Sequence, residues 1–333
     1  MANSQIDSKK GLQKILITGS GGFLGSHMAE SFLKEGACVV GVDNFSSTSK
    51  RNTEILQKAY PNLFTAFEAD VCQEWHWAKN LGKDFNLVFH MASPASPPIY
   101  QKLGLETMWV NSIGLNRALE FADSASARLV FASTSEIYGD PEVHPQPESY
   151  RGKVNSVGPR ACYDESKRFG EALMFTYNLK HQSQHGLVRI FNTYGPRMNP
   201  SDGRVVINFL VQGLRGETLT VYGDGSQTRS FCYVDDLISG IRAYANTKLT
   251  VPVNIGNNKE FTVLELAEIV QKELFPKKNL KIVHQALPVD DPLQRCPDIS
   301  LATAKLNWTP KVALRDGLKS MSQWLSQELG IPQ

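Results

Sequence analysis

The chain has 333 residues, of which 41% are apolar and 20% are charged, and its net charge is +2. This near neutrality argues against a protein built to bind nucleic acid, since such proteins need basic residues in excess to displace counterions from phosphates. No charge-free apolar run approaches the ~20 residues that span a bilayer, and the polar start is unlike a signal peptide. The five cysteines form no CxxC pair, so neither disulfides nor a metal site is expected. We expect a cytoplasmic globular protein.

Short β-branched and aromatic runs alternate with helical patterns through the first 195 residues. The alternation predicts parallel strands joined by right-handed crossovers, which is a Rossmann-like, doubly wound α/β sheet. The predicted strands are residues 14–18, 38–42, 64–68, 87–91, 128–132 and 187–191, with 252–255 joining later. The predicted helices between them include residues 24–36, 107–122 and 164–180.

After residue 196 this regular alternation gives way to a mixed pattern. Helices are predicted over 205–216, 234–246 and 263–274, and a strand over 219–222. We interpret the chain as a Rossmann domain of residues 11–196 plus 229–257 and a smaller mixed α/β lobe of residues 197–228 plus 258–330.

A glycine-rich turn joins the first predicted strand to the first predicted helix. Its residues Gly19, Gly22 and Gly25 form the pattern GxxGxxG. Glycine permits a tight turn and close backbone approach, and a helix N-terminus offers free N–H groups and a positive dipole end to a pyrophosphate. A flexible turn without a ligand is the alternative, but the strand–turn–helix setting favours a bound dinucleotide.

Two acidic residues at strand ends favour NAD as that dinucleotide. Asp43 lies roughly 20 residues beyond the turn, where a carboxylate accepts both ribose hydroxyls and repels the 2′-phosphate of NADP. Its alternative role is to cap the turn that it begins with Asn44. Asp70, followed by Val71, ends the third predicted strand, where the amino group of adenine would be read.

The residues Tyr163 and Lys167 lie four apart, on one face of a predicted helix. A nearby ammonium stabilises a phenolate, so Tyr163 could accept a hydroxyl proton while hydride leaves the same carbon. Lys167 could also bind the nicotinamide ribose. Thr134 follows a predicted strand, at the edge where ligands bind in open α/β sheets. The alternatives are a solvated helix face for the first two residues and local turn hydrogen bonding for Thr134.

Longer motifs resemble those of the UDP-glucuronate decarboxylases, also called UDP-xylose synthases, in the extended short-chain dehydrogenase/reductase superfamily. The resemblance covers about residues 12–320 and keeps the motifs in the same order. They are residues 90–100 (HMASPASPPIY), 132–145 (ASTSEIYGDPEVHP), 158–167 (GPRACYDESK), 189–198 (RIFNTYGPRM), 203–209 (GRVVINF), 219–230 (LTVYGDGSQTRS) and 290–298 (DDPLQRCPD).

This resemblance implies a reaction and catalytic roles. NAD would oxidise carbon 4 of the glucuronosyl ring, with Tyr163 as base and Thr134 sharing the hydrogen bond of the hydroxyl. The resulting β-keto acid would lose carbon dioxide, and reduction at carbon 4 would leave UDP-xylose. Glu136 would orient the ring and handle protons through water, and Arg295 would anchor the sugar and steady negative charge. A capping or solvated role for Glu136 and a surface ion pair of Arg295 with Asp290 or Asp291 are the alternatives.

The resemblance also implies the two binding sites and a homodimer. In the dimer, the helices over 107–122 and 164–180 would form a four-helix bundle with their copies. The residues expected to bind NAD are Gly19, Gly22, Phe23, Leu24, Gly25, Asp43, Asn44, Asp70, Val71, Met91, Ala92, Ser93, Asn111, Tyr163, Lys167 and Thr193. Those expected to bind the UDP-sugar are Pro97, Tyr100, Ser135, Asn192, Arg204, Val205, Thr220, Tyr222, Gln227, Arg229 and Arg295. A solvated loop charge is the alternative for Arg204 and Arg229.

Two positions depart from related patterns. Ser135 replaces the acid of the Thr-Asp-Glu motif of 4,6-dehydratases, so a dehydratase reaction is disfavoured. Trp109 stands where many decarboxylases carry Lys, and a missing cation near the substrate would weaken carboxylate binding or favour release of an intermediate. The open alternatives are a decarboxylase that releases the UDP-4-keto-pentose, a UDP-glucuronate 4-epimerase, and a non-catalytic NAD or nucleotide-sugar sensor.

Overall fold

A computed structural model describes residues 13–287 and 292–332, so predictions on residues 11, 12, Asp290 and Asp291 lie outside the described residues. The strands of the described chain are β1 (Lys14–Thr18), β2 (Cys38–Asp43), β3 (Phe64–Glu68), β4 (Leu87–His90), β5 (Arg128–Thr134), β6 (Gly186–Ile190), β7 (Thr193–Tyr194), β8 (Leu219–Tyr222), β9 (Thr228–Ser230), β10 (Cys232–Tyr233), β11 (Val253–Ile255), β12 (Glu260–Thr262), β13 (Ile282–Gln285) and β14 (Gln294–Arg295). The α-helices are α1 (Phe23–Leu33), α2 (Arg51–Ala59), α3 (Pro97–Lys102), α4 (Gly104–Trp109), α5 (Leu115–Ser124), α6 (Ala161–His181), α7 (Val205–Arg215), α8 (Val234–Ala245), α9 (Val263–Ile269), α10 (Ser300–Leu306) and α11 (Leu314–Leu329).

Seven parallel strands form the central sheet, in the order β11-β6-β5-β4-β1-β2-β3. The chain leaves β1 towards β3 on one side and then returns to build β4 to β6 on the other, so the order reverses between β1 and β4. Ile15, Leu16 and Ile17 of β1 are fully buried because helices cover both faces of the sheet. The predicted doubly wound α/β fold is thereby confirmed, and all seven predicted strands are present.

The predicted helix over 107–122 consists of three segments. Helices α4 and α5 are joined by a π turn over Val110–Gly114. The carbonyl of Val110 accepts a hydrogen bond from the N–H of Leu115, five residues later, and a second from Nε2 of the buried His90. This second bond comes from the neighbouring strand β4, which explains why the pattern of the helix alone did not reveal the turn.

Smaller sheets stand beside the central one. Strand β9 lies between β12 and β14, β13 pairs with β8, and β10 pairs with β7. Strand β11 joins the central sheet through β6, as predicted for residues 252–255. The division into a Rossmann domain and a smaller lobe stays a prediction.

None of the helices among the described residues has the length and apolar character needed to cross a bilayer. The described residues also hold no group of three or more His, Cys, Asp or Glu side chains placed to bind a metal ion.

Candidate active site

The carboxyl ends of strands β1, β4, β5 and β6 open into a cleft made of two joined cavities. The larger cavity has a volume of about 570 Å³ and the smaller cavity about 380 Å³. Gly19, Gly22, Met91 and Ser93 line both cavities, which makes the cleft continuous. Every residue predicted to bind or react lines one of the two cavities, with the exception of Asn111.

The glycine-rich turn lines both cavities through Gly19 and Gly22. Gly19 has a φ of +75°, and a Cβ on this residue would lie 2.6 Å from the backbone nitrogen of Ala92. A Cβ on Gly25 would lie 2.0 Å from the carbonyl oxygen of Gly19. Helix α1 begins after Gly22 without a side-chain cap, which leaves its first N–H groups for a ligand. The turn therefore fits a pyrophosphate.

Asp43 is fixed at the floor of the smaller cavity by the backbone. Its Oδ2 accepts a hydrogen bond from the N–H of Gly21 at 3.0 Å, and its Oδ1 accepts one from Phe45 at 2.8 Å. Burial raises the pKa of Asp43, and these two bonds oppose the rise. Asp70 lines the same cavity and accepts a hydrogen bond from the N–H of Cys72. The two carboxylates fit the ribose and the purine of a dinucleotide.

The buried His90 links strand β1 to the π turn by hydrogen bonds. Nε2 of His90 is 3.0 Å from the carbonyl of Val110, so this nitrogen must carry the proton. Nδ1 then accepts a hydrogen bond from the hydroxyl of Thr18, which itself accepts one from the N–H of Ala92. Burial lowers the pKa of His90 to about 3, so the ring is neutral. The sequence placed His90 in a motif but assigned it no function.

The larger cavity brings together the three residues of the predicted redox centre. Tyr163 and Lys167 face it from helix α6, and Thr134 faces it from the end of β5. Nζ of Lys167 donates to the carbonyl of Ala132 at 2.7 Å and lies 5.8 Å from the centroid of the Tyr163 ring. Thr134 Oγ1 also accepts a hydrogen bond from the N–H of Glu136, which is the local turn bond considered as its alternative role.

Burial has the largest effect on the pKa values of Tyr163 and Lys167. It raises the pKa of Tyr163 to about 12, although a hydrogen bond with Thr134 and the charge of Arg204 oppose the rise. Burial also lowers the pKa of Lys167 to about 7. Nζ of Lys167 donates to a carbonyl in this structure, and the predicted stabilisation of a Tyr163 phenolate by Lys167 stays a prediction.

A second tyrosine lies against the first. The rings of Tyr100 and Tyr163 are 4.9 Å apart and 8° from parallel. The hydroxyl of Tyr100 is buried without a hydrogen-bond partner among the described residues, and the residue lines the larger cavity. A buried hydroxyl left unpaired is costly, so this group is suited to a ligand in the cavity.

Glu136 is held between two arginines. Its Oε2 accepts a hydrogen bond from Arg160 at 2.5 Å, and its Oε1 accepts one from Arg295. Burial favours the neutral acid, but the two guanidinium groups outweigh it and hold the pKa of Glu136 well below its usual range. An ionised Glu136 fits an electrostatic role better than the predicted transfer of protons through water.

Arg160 is the functional candidate that the sequence analysis missed. It lines the larger cavity three residues before Tyr163, inside the quoted motif GPRACYDESK. Its position in that motif was the available signal, but its ion pair with Glu136 joins residues 24 apart. With Arg295 it brings two guanidinium groups to Glu136.

The predicted UDP-sugar residues line the larger cavity around this cluster. Arg204 binds Asp202 through two hydrogen bonds, of 2.5 Å and 2.9 Å. Arg229 is buried on β9, and its Nη1 donates to the carbonyl of Thr228 at 2.8 Å. The other members that line it are Pro97, Ser135, Asn192, Val205, Thr220, Tyr222 and Gln227.

Two residues, one at the end of α4 and one in the π turn, lie outside the larger cavity. Asn111 is fully buried behind the cleft, where Nδ2 lies 3.1 Å from the hydroxyl of Ser93. Its direct contact with NAD stays a prediction, and its contact with Ser93 supports a positioning role. Trp109 lines the smaller cavity, which contains Asp43 and Asp70, and not the larger one with the sugar candidates.

Comparison with known proteins identifies the family. Residues 15–256 match the NAD dependent epimerase/dehydratase family. The UDP-glucuronic acid decarboxylase 1 of Danio rerio is 44% identical over 322 residues, which cover 97% of this chain and 75% of the relative. The UDP-glucuronic acid decarboxylase 6 of Arabidopsis thaliana is 46% identical over 323 residues, covering 96% and 91%. This chain belongs to the UDP-glucuronic acid decarboxylase family.

Solved structures agree with the fold of this decarboxylase family member. The UDP-glucose 4-epimerase of Thermotoga maritima, solved with UDP-glucose, has a TM-score of 0.86 and 28% identity, with 95% of this chain and 100% of that chain covered. The UDP-glucuronic acid 4-epimerase of Bacillus cereus, solved with UDP-glucuronic acid and NAD, has a TM-score of 0.83 and 28% identity at the same coverage. The predicted family and NAD cofactor are thereby confirmed.

Proposed function

We propose that this protein converts UDP-glucuronate to UDP-xylose and carbon dioxide with NAD as a bound cofactor. One observation carries the proposal. Tyr163, Thr134 and Lys167 line the same cavity as Arg160 and Arg295. Such a reaction needs a base at a sugar hydroxyl and fixed cations near the sugar carboxylate, and this cavity supplies both.

The first task of the protein is to remove the proton of the hydroxyl on carbon 4. When bound, NAD supplies the oxidation of this carbon and its later reduction. Tyr163 takes the hydroxyl proton and gives it back at the end, while Thr134 holds the oxygen by a hydrogen bond. Arg204 helps, since its charge opposes the effect of burial on the pKa of Tyr163.

The second task is to support the loss of carbon dioxide. The ketone at carbon 4 turns the sugar into a β-keto acid, and the electrons of the breaking carbon–carbon bond move into an enolate. Arg295 stabilises the developing negative charge with a rigid guanidinium group. Glu136 fixes that group in place through their hydrogen bond. A proton then adds at carbon 5 where the carboxylate was attached.

The two predicted domains divide the ligands. The Rossmann domain, residues 11–196 plus 229–257, would hold NAD on the glycine-rich turn and Asp43. The smaller lobe, residues 197–228 plus 258–330, would hold UDP, with Thr220 and Tyr222 of strand β8 beside the uracil. Arg204 of this lobe and Arg229, the first residue of the Rossmann segment 229–257, would bind the diphosphate, because guanidinium groups pair well with phosphate oxygens.

Product analysis tests the proposed reaction. Purified protein is incubated with UDP-glucuronate, with and without added NAD, and products are followed by proton NMR. We expect UDP-xylose without accumulation of NADH. UDP-4-keto-pentose with accumulating NADH would support the releasing decarboxylase, and UDP-galacturonate would support the epimerase. Binding of both ligands without turnover would support a sensor.

The same assay applied to Tyr163→Phe tests the assigned base. This variant keeps the ring that stacks on Tyr100 but lacks the hydroxyl, so we expect turnover to fall at least about 100-fold while binding of UDP and NAD stays within 3-fold. Tyr60→Phe, on the half-buried tyrosine that follows helix α2, is the matched control. Normal turnover of Tyr163→Phe would contradict the role of its hydroxyl.

We also propose a homodimer through a four-helix bundle. Helices α4 and α6 pack against each other and both expose apolar side chains. Exposed apolar side chains suit an interface, and two adjacent helices that carry them suit pairing with their copies. The exposed side chains are Leu105 and Met108 on α4 and Phe169, Phe175 and Leu179 on α6.

Finally, we propose that the protein works in the cytoplasm. All five cysteines are unpaired thiols, and Cys232 and Cys296 are buried. Unpaired cysteines fit a reducing compartment. Recovery of the native protein in the cytoplasmic fraction would support this location, and its recovery in a membrane or secreted fraction would contradict it.

A further inference from the structure

We propose that Trp109 is a cofactor-binding residue that covers the adenine of NAD. Trp109 stands where the family resemblance led us to expect a lysine near the sugar. In the structure Trp109 instead lines the smaller cavity, together with Asp43 and Asp70.

One stripe of a helix faces the smaller cavity. The cavity is lined by Glu106, Trp109, Val110 and Ile113, which are spaced by three, one and three residues. This spacing puts them on one helix face, so the whole face of α4 and its π turn is directed at the cavity. Trp109 is the one large ring in that stripe.

The remaining lining of the smaller cavity includes both apolar and acidic side chains. Val71 is buried in a cluster with Val42 and with Val110 of the stripe, and Ala92 packs against that cluster. Asp43 and Asp70 line the same cavity, and Asp43 is the predicted ribose ligand. A flat apolar ring with an amino group at its edge and a ribose attached matches this lining, and adenine has that chemistry.

Trp109 is partly exposed and can therefore contact such a ring. Its side chain is 48% exposed, whereas Val110 in the same stripe is 9% exposed. A purine on the indole would bury part of that surface, and stacking of a base on an aromatic side chain strengthens binding about 5- to 100-fold. A lysine at this position would present a charge and a flexible chain in place of a ring.

Trp109 is therefore a binding residue for the adenine half of the cofactor, and it does not act on the sugar. The residues that face the sugar chemistry, Tyr163 and Arg295, line the larger cavity. The inference rests on NAD as the cofactor and is independent of the fate of the sugar. A failure of the Trp109 contact would leave the proposed decarboxylation intact, and a failure of the decarboxylation would leave the Trp109 contact intact.

Binding measurements with divided cofactors test the inference. Isothermal titration of the full chain gives the affinities for NAD, for AMP, which carries the adenine, and for nicotinamide mononucleotide, which lacks it. In Trp109→Ala we expect NAD and AMP to bind about 10-fold more weakly and nicotinamide mononucleotide to bind as in the wild type. Trp109→Phe keeps a ring, and we expect it to bind NAD within about 3-fold of the wild type.

The matched control is Met108→Ala. Met108 is 40% exposed at the adjacent position of the same helix, but it does not line the cavity. We expect its affinity for NAD to be unchanged. Equal NAD affinity in Trp109→Ala and Met108→Ala would overturn the inference, as would an equal loss of affinity for AMP and for nicotinamide mononucleotide in Trp109→Ala.

Fluorescence provides a second measurement. The chain has five tryptophans, so the signal of Trp109 is isolated as the difference between the wild type and Trp109→Phe. We expect AMP to quench the wild type and to leave Trp109→Phe with little quenching. Quenching of equal size in both proteins would contradict contact between the indole and the base.

Discussion

Single side chains carry the chemistry of this cleft, and burial controls most of them. Lys167 is 3% exposed and Arg295 is 3% exposed, so each charge depends on its fixed partners instead of water. Tyr163 and Lys167 could be predicted as a pair from their spacing on one helix. Their pKa values could not, because these depend on burial in the folded protein and, for Tyr163, on a hydrogen bond with Thr134 of strand β5.

Removal of the charge of Glu136 tests the arginine cluster. In Glu136→Gln the buried guanidinium groups of Arg160 and Arg295 lose the carboxylate that both of them bind. We expect a loss of about 3 kcal/mol in the free energy of unfolding, measured by urea denaturation, because an uncompensated buried charge is costly. Turnover should fall in the same variant.

The control for this substitution is Glu273→Gln. Glu273 pairs with Arg315 at the surface, where both side chains are more than a third exposed. Exposed pairs contribute between about 0 and 1 kcal/mol. If the two variants lose the same free energy of unfolding, the cluster around Glu136 is not the stabilising unit that we describe.

The buried lysine predicts a pH dependence of stability. The pKa of Lys167 is lowered from 10.5 to about 7 by burial, so between these values the unfolded chain binds a proton that the folded protein does not. The free energy of unfolding therefore gains up to about 1.4 kcal/mol per pH unit from this residue as the pH rises. Lys167→Met should remove that gain, measured by urea denaturation at pH 7, 8 and 8.5.

Lys58→Met, on the exposed face of helix α2, is the control and should keep the pH dependence of the wild type. The chosen range stays below the pH at which the raised pKa of Tyr163 acts. Parallel curves for Lys167→Met and the wild type would mean that the lysine is charged in the folded protein.

At the scale of secondary structure, the strands were predictable and the turns of the long helix were not. Apolar runs marked β1 to β6 because strands covered on both faces carry few polar residues. The π turn over Val110–Gly114 depends on His90, which is 20 residues away in the chain and adjacent only in the fold. The family resemblance assigned Asn111 of this turn to the NAD site, and the structure buries it, with Nδ2 at 3.1 Å from the hydroxyl of Ser93.

The close packing of the glycine-rich turn predicts that a side chain on Gly25 weakens NAD binding. In Gly25→Ala the new Cβ would meet the carbonyl oxygen of Gly19, so the turn must shift and lose its fit to the pyrophosphate. We expect NAD affinity to fall by at least about 10-fold in calorimetry. Gly104→Ala is the control, because its Cβ would lie 3.7 Å from Cys162, an ordinary contact. Equal NAD affinity in both variants would contradict the role of the turn.

The whole molecule is expected to pair through helices α4 and α6. Leu179 is 75% exposed on α6, and a charge there should oppose burial between two copies. We expect Leu179→Glu to be a monomer in light scattering at concentrations where the wild type is a dimer. Val157→Glu adds the same charge at a residue that is 93% exposed outside these helices, and it should stay a dimer. A dimeric Leu179→Glu would place the interface elsewhere.

The most direct measurement follows the hydrogen on carbon 4 of the sugar through one turnover. UDP-glucuronate carrying deuterium at carbon 4 is incubated with the protein and its tightly bound NAD, and the UDP-xylose is examined by NMR. If this carbon is oxidised and then reduced at one site, the deuterium remains on carbon 4, and the same reaction in heavy water adds deuterium at carbon 5. Loss of the label from carbon 4 into other molecules, or UDP-xylose without deuterium from heavy water at carbon 5, would contradict the account.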